Sequence, residues 1–151
     1  VIVVRPEKDL HWWLNQRVSV SYSDDFRAIG WVEKGVLKAV VGYTDTNGKT
    51  AQIHVAADGK NWMRREFLWF TFYYPFVQLK LNWLIGVVNA TNAKALKMDT
   101  NIGFEEFTRI PDGYADGEDL ILLRLHREHP RVQKWLSLGE KYGQGITATA
   151  A

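Results

Sequence analysis

Apolar and polar positions alternate along this chain in a way that predicts short strands separated by a few helices. Residues 2–5 (IVVR) are β-branched and weakly alternating, which predicts a first strand closed off by Pro6. In residues 9–18, Asp9 is placed as a cap, and Leu10, Trp13, Leu14 and Val18 recur at helical spacing. Residues 19–25 are polar and turn-prone, and read either as a second short helix or as a loop. Residues 28–55 read as a β-meander: a strand over 28–33, a tight turn at Lys34-Gly35, a strand over 36–44 and a returning strand over 51–55. Asn47-Gly48 is the strongest hairpin signal, because both residues tolerate the positive φ of a type I′ turn.

Residues 62–79 (WMRREFLWFTFYYPFVQL) are too long for a strand and predict a helix. Their apolar side chains cover nearly the whole circumference, so this helix is either buried on more than one side or faces a partner subunit in a homodimer. Pro75 kinks it or ends it early. Residues 83–89 (WLIGVVN) are apolar throughout, the pattern of a central strand covered on both faces. Asn92 then suits an N-cap. Ala95, Leu96 and Met98 suit a helix packed on a sheet, and Gly103 suits the left-handed residue that ends it. A strand over 104–110, a Gly- and Asp-rich loop over 111–119 and a final strand over 120–126 follow. A short helix over 130–138 precedes a Gly- and Thr-containing end that is expected to be loose. The order β-α-β-β-β-α-β-α-β-β predicts a mixed α/β fold with a largely antiparallel sheet.

Composition narrows the function classes. A length of 151 residues suits one domain with a real core. Seven Trp, seven Phe and six Tyr make it aromatic-rich, and nothing in it has the composition of a disordered chain. No apolar run reaches the ~20 residues of a membrane-spanning helix, and no secretory signal pattern is visible. Cysteine is absent, which excludes disulfides and a Cys nucleophile and fits a cytoplasmic protein. A net charge of +2 gives no argument for nucleic acid. His126 and His129 without any Cys make a poor zinc site, so no metal is expected.

Two stretches resemble the GNAT family of acetyl-CoA-dependent N-acetyltransferases. Asn92, Ala95, Asp99 and the pair Gly103-Phe104 follow the family's pattern of Asn, Ala, Tyr and Gly-Phe, with Asp99 standing at the Tyr position. The stretch from Val55 follows the pyrophosphate-loop pattern less closely: Lys60 keeps a basic residue, whereas Met63 and Arg65 replace two small ones. This loss is similar to that in the branch of ribosomal-protein and phage-type acetyltransferases. The resemblance covers most of the chain up to His126 and implies a GNAT fold over residues 1–151, with 129–151 as a C-terminal extension.

The resemblance implies acetyl-CoA as acetyl donor, bound by the fourth strand, the loop after it and the next helix. The implied binding residues are Ile53, Val55, Gly59, Lys60, Asn61, Trp62, Met63, Arg64 and Arg65, with Asn92 and Ala95 on the later helix. Physically, Gly59 frees the backbone, a helix start near Trp62 offers unpaired N–H groups to a pyrophosphate, and Lys60 is the best-placed cation. The bland alternatives are that these cations are merely solvated and that Asn92 is only a cap.

Three residues are candidates for the chemistry. His54 has the intrinsic pKa of a base, although alternation alone leaves open which face of its strand meets the cleft. Asn89 ends the central strand, either as a substrate- or water-positioning group or as a strand-end cap. Asp99 occupies the position of the family's acid and needs burial to raise its pKa before it can serve. Glu33, Asp45 and Asp58 rank below His54 as groups that attract or deprotonate a cationic amine. The expected activity is direct acetyl transfer to a primary amine on a small molecule or protein, and the alternative is an acyl-CoA- or protein-binding module with little catalysis.

Overall fold

A computed structural model describes residues 1–139, 141 and 142. Among the described residues, seven strands form one sheet in the order β1-β2-β3-β4-β5-β7-β6. They are β1 (Ile2–Val3), β2 (Arg27–Glu33), β3 (Val36–Thr44), β4 (Thr50–Ala57), β5 (Trp83–Asn89), β6 (Glu105–Ala115) and β7 (Glu118–His126). Helix α1 (Glu7–Asn15) follows β1, α2 (Arg65–Tyr73) follows β4, α3 (Ala93–Ile102) follows β5, and α4 (Pro130–Leu136) follows β7. The pairings β1–β2, β2–β3, β3–β4, β5–β7 and β6–β7 are antiparallel, whereas β4 and β5 are parallel. The sheet is thus largely antiparallel and α/β in composition, in the predicted element order.

The two faces of the sheet carry separate cores. On one face, Ala39, Val41 and Tyr43 of β3, Leu84 and Val88 of β5, and Ile121, Leu123 and Leu125 of β7 pack with Phe67, Trp69, Phe70 and Phe72 of α2 and Val132 of α4. On the other, Leu10 and Leu14 of α1 meet Phe26, Ala28 and Val40. Gly42 permits that second packing: a Cβ there would lie 2.7 Å from Leu14. Burying these side chains stabilises each by about 1.5–3 kcal/mol before chain entropy opposes it.

Several expectations change. Helix α1 begins at Glu7 behind Pro6, so Asp9 lies in its first turn instead of capping it. Residues 17–26 contain no helix. The turn with two positive φ angles is Lys34-Gly35 (51° and 76°), not Asn47-Gly48. Asn47 instead accepts the N–H groups of Lys49 and Thr50 through its side chain, closing a longer loop. The aromatic segment gives a helix only from Arg65 to Tyr73, followed by a wide π turn over Tyr74–Gln78 at Pro75. Phe67 to Phe72 are all buried within this one chain, so their aromatic surface is not a dimer face. Strand β5 is fully buried on one face only, for on the other Ile85 is half-buried and Val87 exposed. The expected loop over 111–119 is mostly strand, with β6 and β7 turning at residues 116–117. The last expected segment, the Gly- and Thr-containing end, lies outside the described residues.

Candidate active site

Strands β4 and β5 pair over only three residues. Thr50, Ala51 and Gln52 lie opposite Trp83, Leu84 and Ile85. Beyond that point β4 runs on to Ala57 and β5 to Asn89 with no pairing between them. Every second backbone N–H and C=O of a strand points to each side, so residues 53–57 present unpaired donors and acceptors towards the opening. A groove of this kind suits an extended amide-bearing chain, which can add to β4 as a strand would.

Alternation along β4 sorts the candidates. Ile53 and Val55 face the α2 side and are half-buried against its core. His54 faces the α1 side, where Gly42 lies opposite it on β3. The Gln52–Ile85 pairing puts Ile85 and Val87 of β5 on that same face. The imidazole Nε2 lies 2.8 Å from Thr44 Oγ1. Burial pushes the His54 pKa down, and the nearby Asp45 carboxylate partly offsets this, so the ring is neutral and basic at pH 7.

After β4 the chain turns through residues 58–64 into α2. Gly59 has φ +82°, which favours glycine. Arg17 anchors this loop from the end of α1: its Nε and Nη2 donate to the two Asp58 oxygens at 2.9 and 2.8 Å. That fork holds the Asp58 carboxyl below its ordinary range, so Asp58 is not a free carboxylate for an amine. Trp62 turns inward and packs edge-on against Phe67. Helix α2 opens at Arg65 instead of near Trp62, with Arg64 as N-cap residue and no side chain capping its first turn. Its leading N–H groups are therefore available to an anion. Arg64 donates to Glu33 at 2.8 Å, an exposed ion pair with which a phosphate would compete. Gly59, Lys60, Asn61, Met63 and Arg65 line the approach to this helix end; Lys60, Asn61, Met63 and Arg65 are exposed.

The later unit has the expected local chemistry. Asn92 Oδ1 accepts the Ala95 N–H at 3.1 Å, so the cap is formed. Gly103, at φ +127°, ends α3, and its N–H and that of Phe104 both reach the Asp99 carbonyl. Ala95, Leu96 and Ile102 pack on the main core. Asp99 shares that inward face by its i+3 and i+4 spacing. Desolvation raises its pKa from 3.8 to about 6. Asn89 donates to Glu118 at 3.0 Å and accepts both the N–H and hydroxyl of Thr91. These bonds make it a strand-end cap.

Thr44 was not among the candidates. It is buried, it bridges His54 to Asp45, and only the β3–β4 register reveals that it does so. Two surface hollows, about 450 Å³ beside Arg5, Glu7 and Tyr22 and about 220 Å³ beside Asp25, Arg27 and Thr46, lie away from the β4–β5 opening.

No protein-family model matches the sequence, and no curated protein matches it. Solved structures do match in shape. A mutant crystal structure of the spermidine/spermine N-acetyltransferase SpeG from Vibrio cholerae is 15% identical at TM-score 0.71, covering 91% of this chain and 97% of that one. A dodecameric structure of spermidine N-acetyltransferase from the same organism is 15% identical at TM-score 0.70, covering 90% and 95%. A chimera of spermidine N-acetyltransferase SpeG from Vibrio cholerae and hSSAT is 17% identical at TM-score 0.69, covering 91% and 98%. Identity this low is evidence about architecture alone. The parallel β4–β5 pair that opens after three residues, set in a seven-stranded sheet of this order, thus has the fold of the GNAT acetyltransferases.

Proposed function

We propose that this protein is an acetyl-CoA-dependent N-acetyltransferase that passes the acetyl group directly to a primary amine. The observation that carries this reading is the early end of the β4–β5 pairing. The pantetheine arm of the donor would take up the unpaired backbone groups of residues 53–57, and its diphosphate the open first turn of α2, with Lys60 as counter-charge. Asn92 and Ala95 would flank that arm from α3.

The chemistry follows from the charge that develops. The amine nitrogen attacks the thioester carbonyl and forms the C–N bond. A backbone N–H of β4 directed into the opening stabilises the oxyanion. His54, neutral at pH 7, takes the proton that the amine loses. The C–S bond then breaks, and Asp99, with its pKa near 6, returns a proton to the departing thiolate. No covalent enzyme intermediate is needed.

For the acceptor we favour a polyamine, since the structural neighbours are spermidine and spermine acetyltransferases. Among the acidic residues of the β6–β7 hairpin, Asp112 and Asp119 are engaged within the hairpin itself, which leaves Asp116 as the freest charge for a cationic chain. A cytoplasmic location and kinship to the phage-type branch belong to the same reading. The second reading, an acyl-CoA-binding module with little catalysis, draws on Met63 and Arg65 in place of small residues and on Asp99 in place of Tyr. The deciding measurement is thiol release from acetyl-CoA with spermidine, spermine and simple primary amines. Turnover that falls in Lys60→Ala and His54→Gln supports the transferase. Thermal stabilisation by acetyl-CoA with no thiol release supports the binding module, and no stabilisation removes both.

A further inference from the structure

The geometry points to Thr44 and Asp45 as positioning residues that hold the His54 imidazole in its Nε2-protonated form and leave Nδ1 as the proton-accepting atom of the site. The Thr44 hydroxyl lies 3.1 Å from Asp45 Oδ2 and 2.8 Å from His54 Nε2. A carboxylate can only accept, so the hydroxyl gives its single proton to Asp45. Its oxygen must then accept from His54, which requires the proton on Nε2. Nδ1 has no hydrogen-bond partner among the described residues.

The fold supplies this arrangement from two directions. Thr44 is the last residue of β3 and pairs with Gln52, while Gly42 pairs with His54, so the Thr44–His54 contact is a diagonal cross-strand pair on the α1 face. Asp45 has φ +52°, a left-handed position that Asp tolerates at a strand end and that turns its carboxylate back onto Thr44. Thr44 is only 4% exposed, so water competes poorly for its hydroxyl. Burial of the ring keeps it neutral, as a directed base requires. A histidine chosen only for packing needs no such chain of partners, whereas a base must present one defined nitrogen.

This inference rests on the transferase reading for its use, but its geometric part is tested without any turnover. Long-range ¹H–¹⁵N spectra of the His54 ring, recorded near pH 8, report the tautomer directly. The native protein is expected to show protonated Nε2 and bare Nδ1. Thr44→Val should give a mixture of tautomers, and Thr44→Ser should restore the single form. Where acetyl transfer is present, Thr44→Val should lower kcat about 10- to 100-fold, a part of the 10²–10⁴ that a general base contributes, with KM for acetyl-CoA unchanged. Asp45→Asn offers the hydroxyl a donor as well as an acceptor and so should loosen the tautomer as Thr44→Val does, a second route that does not depend on the Thr44 variant folding. A native ring protonated at Nδ1, or a tautomer indifferent to Thr44→Val, overturns the proposal. An unchanged kcat in Thr44→Val alongside active native enzyme does so too. If the native protein transfers no acetyl group, the transferase reading fails, and the spectra still decide the tautomer.

Discussion

The Tyr43 hydroxyl donates at 2.7 Å to the backbone carbonyl of Thr71, in the last turn of α2. In a regular helix that carbonyl would accept from residue 75, but Pro75 has no N–H. Tyr43, buried on β3, replaces the missing donor and ties the aromatic helix to the sheet where its backbone is weakest. Burial raises the Tyr43 pKa well above its ordinary value, so it stays a donor throughout the physiological range. Removing the hydroxyl in Tyr43→Phe leaves a buried acceptor unpaired and should cost about 1–3 kcal/mol in denaturant unfolding. Because Pro75→Ala restores an N–H, the loss from Tyr43→Phe should be smaller in that background. An equal loss in both backgrounds would show that Pro75 is not what makes this contact necessary.

Asp99 should make the fold less stable as pH rises. Its pKa goes up from 3.8 to about 6 on folding, so the unfolded chain releases the proton more readily. The penalty is absent below about pH 4, grows between 4 and 6, and is fully present above 6. Asp99→Asn should therefore stabilise the protein by roughly 2 kcal/mol at pH 8, a value discounted for partial solvent access, and change little at pH 4. If Asp99 also protonates the thiolate, the same variant should lower kcat about 10²-fold while gaining stability.

His54 has the opposite sign. Its folded pKa lies below 6.5, so protons bind the unfolded chain more tightly. The stability it contributes is present above about pH 6.5 and is lost as pH falls through the lower folded value. Subtracting the pH–stability curve of His54→Gln from the native curve isolates this from the other three histidines. The difference should fall on the acid side, and a difference that is flat from pH 5 to 8 refutes the sign.

Lys60→Ala should weaken acetyl-CoA binding by about tenfold, the scale of one charge-assisted contact. A short thioester lacking the nucleotide should be used equally well by the variant and the native protein. If both donors suffer alike, Lys60 acts on the loop's shape instead of on phosphate.

Some of this was legible in one dimension. The bounds Val36–Thr44 and Trp83–Asn89 follow directly from apolar runs stopped by turn residues. The Asn92 cap and the Gly103 terminus could be read because both act within one helical turn of their own backbone. The Asn47-Gly48 turn was misassigned, because Asn47 uses its side chain on the following N–H groups instead of adopting positive φ. The aromatic helix was read too long at its start, for apolar periodicity does not register that Arg64 is extended, whereas the break read at Pro75 is where the helix widens into a π turn.

The order and kind of elements, the capped helix after β5, and the resemblance to an acetyltransferase were thus determined by the sequence itself, since each depends on neighbours a few residues apart. Tertiary structure alone decided where β4 and β5 part, which face His54 takes, and that Arg64 and Asp58 pair with Glu33 and Arg17. It also decided that Asp99 is desolvated enough to hold a proton near pH 6. These outcomes depend on strand register and on burial between residues distant in the chain, and no local pattern encodes either.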